Sequence, residues 1–141
     1  LDQVLLEEAA RGKKIMGICL GMQMLFEESH EYGIHKGLGL IPGRVVPMAG
    51  YIPEGLKIPH IGWNKLDFPK KNELFRYLVG DNHVYFVHSY YPELCPDTIA
   101  TSTHGLMFSA ALKYENFYGT QFHPEKSGDV GERIIGNFLK L

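Results

Sequence analysis

The chain has 141 residues, enough for one domain around one hydrophobic core. Its formal net charge of -2 at pH 7 gives no basic field for nucleic acid or an anionic membrane, and the lysine pairs at 13–14 and 70–71 are too short to form a patch. No apolar run reaches the length of a membrane span, the acidic amphipathic start is unlike a signal peptide, and two cysteines make no disulfide scaffold. A cytoplasmic protein with free thiols is therefore expected.

Asp2 reads as the cap of a first helix over residues 3–11, with Val4, Leu5, Leu6, Ala9 and Ala10 as its apolar stripe and Gly12 as its stop. Residues 13–18, KKIMGI, read as a short strand buried on both faces. A second helix is predicted over 20–30, with Met22, Leu25 and Phe26 turned inward. The Gly- and Pro-rich stretch from Tyr32 to Gly55 contains one strand, at 43–48. Strand-like pieces follow at 57–60, 84–88, 99–102, 108–114 and 117–122, the last two separated by a hairpin turn at Glu115-Asn116. An amphipathic helix over 130–139 closes the chain. The order implies a single α/β domain whose second half is more antiparallel than its first. A start on Leu1, and on a helix before any strand, suggests that N-terminal elements have been removed.

Residues 17–21, GICLG, have the form G-x-nucleophile-x-G. A strand that turns sharply into a helix strains the residue at the corner, and flanking glycines let neighbouring backbones approach closely. Cys19 then stands at a helix N-terminus, which favours the thiolate. The backbone N–H of Leu20 points to where an oxyanion would form. Packing of a small buried thiol is the competing reading, so the motif needs a base elsewhere. Cys95, in a proline-bounded loop, reads as structural.

Residues 119–127, GTQFHPEKS, supply that base. A strand ends at His123, Pro124 stiffens the link, and Glu125 lies at the spacing that lets a carboxylate hold one ring nitrogen. Cys19, His123 and Glu125 thus form a nucleophile, base and orienting carboxylate. The remaining histidines, His30, His35, His60, His83, His88 and His104, lack metal-ligand spacing. No metal or cofactor is expected, and His60 and His88 read as hydrogen-bonded structural groups near the site.

GICLGMQ followed by QFHPE resembles the class I, or triad, glutamine amidotransferase family. Within it, GLGLIPGRV at 37–45, PHIGWN at 59–64, YFVHSYY at 85–91 and QFHPEKSG at 121–128 resemble the glutaminase subunits of imidazole glycerol phosphate synthase, over essentially the whole chain. The resemblance implies a sheet flanked by helices and hydrolysis of glutamine to glutamate and ammonia. The ammonia would pass through a tunnel to a cyclase subunit, a (β/α)₈ barrel, in histidine biosynthesis. The pair would form a heterodimer.

Carried over by position, Cys19 forms a glutamyl thioester, His123 moves the proton and Glu125 orients His123. Leu20, Gln23, Ser89 and Tyr90 bind substrate, while Trp63, Asn64, Tyr85 and Lys126 meet the cyclase. Plainer readings are that Trp63 is a core residue, Gln23 a solvated helix residue and Tyr85 a cross-strand packing residue. The resemblance also implies a glycine-rich oxyanion loop upstream of the elbow. Nothing before Lys13 is glycine-rich, so the chain reads as a single-domain fragment lacking the first strands and that loop. The alternatives are another triad amidotransferase, or a non-catalytic module that only docks on the cyclase.

Overall fold

The computed structural model describes residues 2–30 and 33–141; Leu1, Glu31 and Tyr32 lie outside them. Helix α1 (Asp2–Ala10) begins at Asp2 itself rather than after it as a cap. It ends as expected at Gly12, whose φ of 83° only glycine adopts freely. Of the predicted stripe only Ala9 is buried, while Val4 and Leu6 are exposed. The end of α1 is tied down instead by Asn116, whose side-chain amide donates to the carbonyls of Ala9 and Lys13.

Strand β1 (Ile15–Ile18) is shorter than the predicted 13–18. Only Gly17 within it is fully buried, so the expectation of two covered faces is not met among the described residues. The next departure follows Cys19. Helix α2 (Leu20–Met24) spans five residues rather than eleven, and Phe26–Ser29 forms strand β2. Strand β2 pairs with β3 (His35–Lys36) and runs parallel to β4 (Ile41–Pro47). Local helix propensity across this stretch is overridden by ladder bonds to residues distant in sequence. Met22, Leu25 and Phe26 are nevertheless all buried, as predicted.

The predicted strand at 57–60 is also displaced, because β5 runs from His60 to Leu66. It pairs antiparallel with β6 (Asn82–His88). Its pattern is inverted: His60 and Leu66 are buried whereas Ile61 and Trp63 face out, so apolar alternation does not identify the inner face. Strand β7 (Tyr90–Pro92) pairs with β4; β8 (Thr98–Thr103), β9 (Met107–Tyr114) and β10 (Phe117–Thr120) complete the strands, and α3 (Gly128–Leu139) closes the chain.

Among the described residues the strands form three sheets with orders β1-β10-β9-β8, β3-β2-β4-β7 and β5-β6. In the first, β1 and β10 are parallel and the others antiparallel, and β9 and β10 are joined by the predicted Glu115-Asn116 turn. The α/β class, with helices flanking sheets, stands. Phe86 makes edge-to-face contacts with Phe108 and Phe122, joining the β5–β6 pair to the first sheet. Among the described residues, no helix is long and apolar enough to cross a membrane.

Candidate active site

Cys19 sits at the carboxyl end of β1 with φ 53° and ψ -111°, a left-handed φ that costs a non-glycine residue roughly 1–3 kcal/mol. The corner is fixed from both sides. The Cys19 amide donates to the Thr120 carbonyl at 2.7 Å, and the Gln23 amide donates to the Cys19 carbonyl at 3.1 Å. The two glycines of GICLG differ in role. A Cβ on Gly17 would lie 2.6 Å from the Met22 backbone nitrogen, so α2 can fold back over β1 only with glycine there. A Cβ on Gly21 would meet nothing within 4 Å, which corrects the expectation that both glycines serve a close approach.

Because β10 lies beside β1 with Ile18 opposite Thr120, the segment leading to His123 emerges next to Cys19. Pro124 opens a 3-10 turn over Pro124–Lys126, and within it the Glu125 carboxylate accepts a hydrogen bond of 2.5 Å from His123 Nδ1. That bond leaves Nε2 as the ring's basic nitrogen. The turn is held by Ser127, whose hydroxyl donates to the His123 carbonyl at 2.6 Å and accepts from the Tyr85 amide at 3.0 Å. Tyr85 closes the loop by accepting from the His123 amide at 2.9 Å.

The other predicted positions fall into two groups. Gln23 is buried, which removes the solvated-helix reading, and its side-chain amide donates to the Tyr90 carbonyl at 3.4 Å. Leu20 is exposed, and with Gln23 it lines a cleft of about 200 Å³ closed by Gly37 and Leu38. Ser89 is half-buried in the break between β6 and β7, so HSYY runs past Gln23 as one segment. Trp63 is 56% exposed, which excludes a core role. It packs edge-on against Tyr85, its register partner across β5 and β6, so Tyr85 is indeed a cross-strand neighbour. Asn64 is half-buried and donates to the Thr103 carbonyl at 2.7 Å. Lys126 is exposed, directly after Glu125.

Three contributors escaped the sequence reading. Ile61 and Val87, also register partners, extend the outward face of Trp63 and Tyr85; their inverted alternation was the available signal. Gln121 is fully buried and donates to the Cys19 sulfur at 3.6 Å. A polar residue at the end of a predicted strand, two before His123, was its only signature.

Behind β6 lies a histidine cluster. His60 and His88 share a 3.0 Å ring hydrogen bond, His88 Nδ1 donates to the Tyr90 carbonyl at 2.9 Å, and His104 stacks on His60. Burial pushes His88 down to about 3, opposed by its bond to the Tyr90 carbonyl and reinforced by the neighbouring histidines. Burial and then His104 push His60 down to about 4. Both rings are neutral at pH 7, in keeping with hydrogen-bonded structural groups.

The profile of class-I glutamine amidotransferases matches residues 3–141. The chain belongs to the class-I glutamine amidotransferase family. Among the proteins it resembles are the imidazole glycerol phosphate synthase subunit HisH of Helicobacter hepaticus, 47% identical over 100% of this chain and 66% of that protein, and that of Syntrophotalea carbinolica, 48% identical over 95% and 68%. The HisH subunit of Sulfurimonas denitrificans is 49% identical over 95% and 66%. The chain thus spans about two thirds of the length of these curated relatives. Solved structures carry the same amidotransferase fold. PurLQS from Thermotoga maritima superposes with a TM-score of 0.71 at 20% identity, over 99% of this chain and 66% of that one. A glutamine amidotransferase from the same organism gives 0.64 at 22% identity, over 99% and 52%.

Proposed function

We propose that the protein is the glutaminase subunit of imidazole glycerol phosphate synthase, working in the cytoplasm as a heterodimer with the cyclase. The carrying observation is the placement of a strained Cys19 and a carboxylate-bound His123 at the carboxyl ends of two adjacent parallel strands, in a chain nearly half identical to HisH subunits.

In this reading the Cys19 sulfur attacks the side-chain amide carbon of glutamine as its proton passes to His123 Nε2. Collapse of the tetrahedral adduct breaks the C–N bond, and His123 returns the proton to the nitrogen, which leaves as ammonia. Water then attacks the thioester with His123 again as base, releasing glutamate and the thiol. Glu125 steadies the imidazolium through Nδ1. Leu20 contributes a backbone N–H to the oxyanion, while Gln23, Ser89 and Tyr90 hold the substrate's amino-acid end.

The outward face of Ile61, Trp63, Tyr85 and Val87 supports docking of the cyclase, because exposed aromatic residues are usual interface anchors. Backbone bonds of the same strand reach the site: Tyr85 binds His123 and Ser127, and the Val87 carbonyl accepts from the Cys19 thiol at 3.7 Å. A partner pressing on β6 therefore acts on both catalytic groups, and glutaminase activity is expected to be low alone and strongly raised by the liganded cyclase. The test is ammonia release from glutamine, with and without the cyclase and its ligand. Release that rises with the cyclase and vanishes in Cys19→Ala supports the proposal; equal rates with and without the cyclase remove the gating, and no release from the folded complex removes the enzyme.

A further inference from the structure

We infer that Gln121 stabilises the thiolate of Cys19 and ties it to the substrate-holding segment, a role that rests on reading Cys19 as the nucleophile. Two of the contacts of the thiol have opposite effects. Its S–H donates to the Val87 carbonyl at 3.7 Å, a contact that suits the protonated sulfur and repels the anion. The side-chain N–H of Gln121 donates to the same sulfur at 3.6 Å, a contact that strengthens once the sulfur is charged. Of these two contacts, Gln121 is the one that favours ionisation and the carbonyl the one that opposes it.

The orientation of Gln121 is set by its neighbours. Its Oε1 accepts from the Gln23 side-chain amide at 3.0 Å, which turns Nε2 toward Cys19. Gln23 is oriented in turn by the Tyr90 carbonyl, which accepts from the same amide nitrogen at 3.4 Å. The Gln23 side-chain nitrogen thus donates both to the Tyr90 carbonyl and to Gln121, and Gln121 donates onward to the sulfur. Gln121 is fully buried, so water screens none of it, and its backbone N–H donates to the Ala110 carbonyl at 2.8 Å. A side chain held at both ends in this way crosses from the Gln23–Tyr90 segment to the nucleophile with little freedom to reorient.

The experiment is alkylation of Cys19 by iodoacetamide between pH 5 and 10, followed by mass spectrometry in a Cys95→Ser background. In Gln121→Met, which keeps the length and loses the donor, the pH midpoint should rise by about one unit. The rate at pH 7 should then fall about tenfold, with the alkaline plateau unchanged. Gln121→Asn, which keeps the amide but is too short to reach both partners, should shift it in the same direction and guards against misfolding of the first variant. Circular dichroism confirms the fold of each. An unmoved midpoint in either folded variant overturns the inference. The readout is the thiol itself, so it stands apart from the glutaminase reading, whose failure would show as absent ammonia release from the wild-type complex.

Discussion

Gly17 and Gly119 are register partners across the parallel β1–β10 pair, and Met22 of α2 lies against both. A Cβ on Gly119 would sit 2.4 Å from Met22 Cγ, and one on Gly17 would strike the Met22 backbone nitrogen. The elbow is therefore seated by two glycines from separate strands. Gly17→Ala meets backbone and has no flexible atom to displace, so it should destabilise the chain by about 1–3 kcal/mol. Urea denaturation checks this, and a loss below about 0.5 kcal/mol would mean that α2 shifts freely.

The strain at Cys19 leads to an inverted substitution series. At ordinary positions alanine is more stabilising than glycine, because glycine leaves the unfolded chain more freedom. At φ 53° the order should reverse, with Cys19→Gly more stable than Cys19→Ala by about 1 kcal/mol. Both variants should lack glutaminase activity. Paired denaturation curves decide the matter; the ordinary order would mean that the corner holds no strain.

What was readable in the sequence follows physical lines. The elbow, the HPE turn, the Glu115-Asn116 hairpin and the closing helix are local, each written in a few adjacent residues. Phe26–Ser29 was not readable, because its strand character comes from pairing with Ile41–Pro47 rather than from its own composition. Strand β5 was misplaced because its apolar side chains Ile61 and Trp63 face outward and imitate the wrong side of an amphipathic strand. Gln121 was hidden for a third reason: its partners are Gln23 of α2 and Cys19 at the corner before it, far away in sequence.

Stability should fall on acidification through the His60–His88 pair. Their folded values of about 4 and about 3 lie below the ordinary histidine value near 6.5. Between those limits the unfolded chain binds protons that the folded chain refuses, so stability is present above pH 6.5 and declines as pH drops toward 4. Each ring contributes a slope of up to about 1.4 kcal/mol per pH unit. Denaturation at pH 7.5, 6 and 5 should follow this slope, and His60→Gln should flatten it. An identical slope in the variant would assign the pH dependence to other groups.

Trp63 separates folding from docking. Its ring is more than half exposed and, among the described residues, its aromatic contact is with Tyr85, so truncation removes little that the isolated chain needs. Trp63→Ala should change folding stability by less than about 0.5 kcal/mol, as is usual for surface substitutions. If the face around it receives the cyclase, the same change strips out a central aromatic anchor. Binding should then weaken by about 2 kcal/mol, roughly 30-fold in Kd. Calorimetric titration of the cyclase with wild type and variant tests both halves of the expectation. Unchanged affinity would place the docking surface elsewhere, whereas a large loss of folding stability would show that Trp63 supports the β5–β6 pair after all.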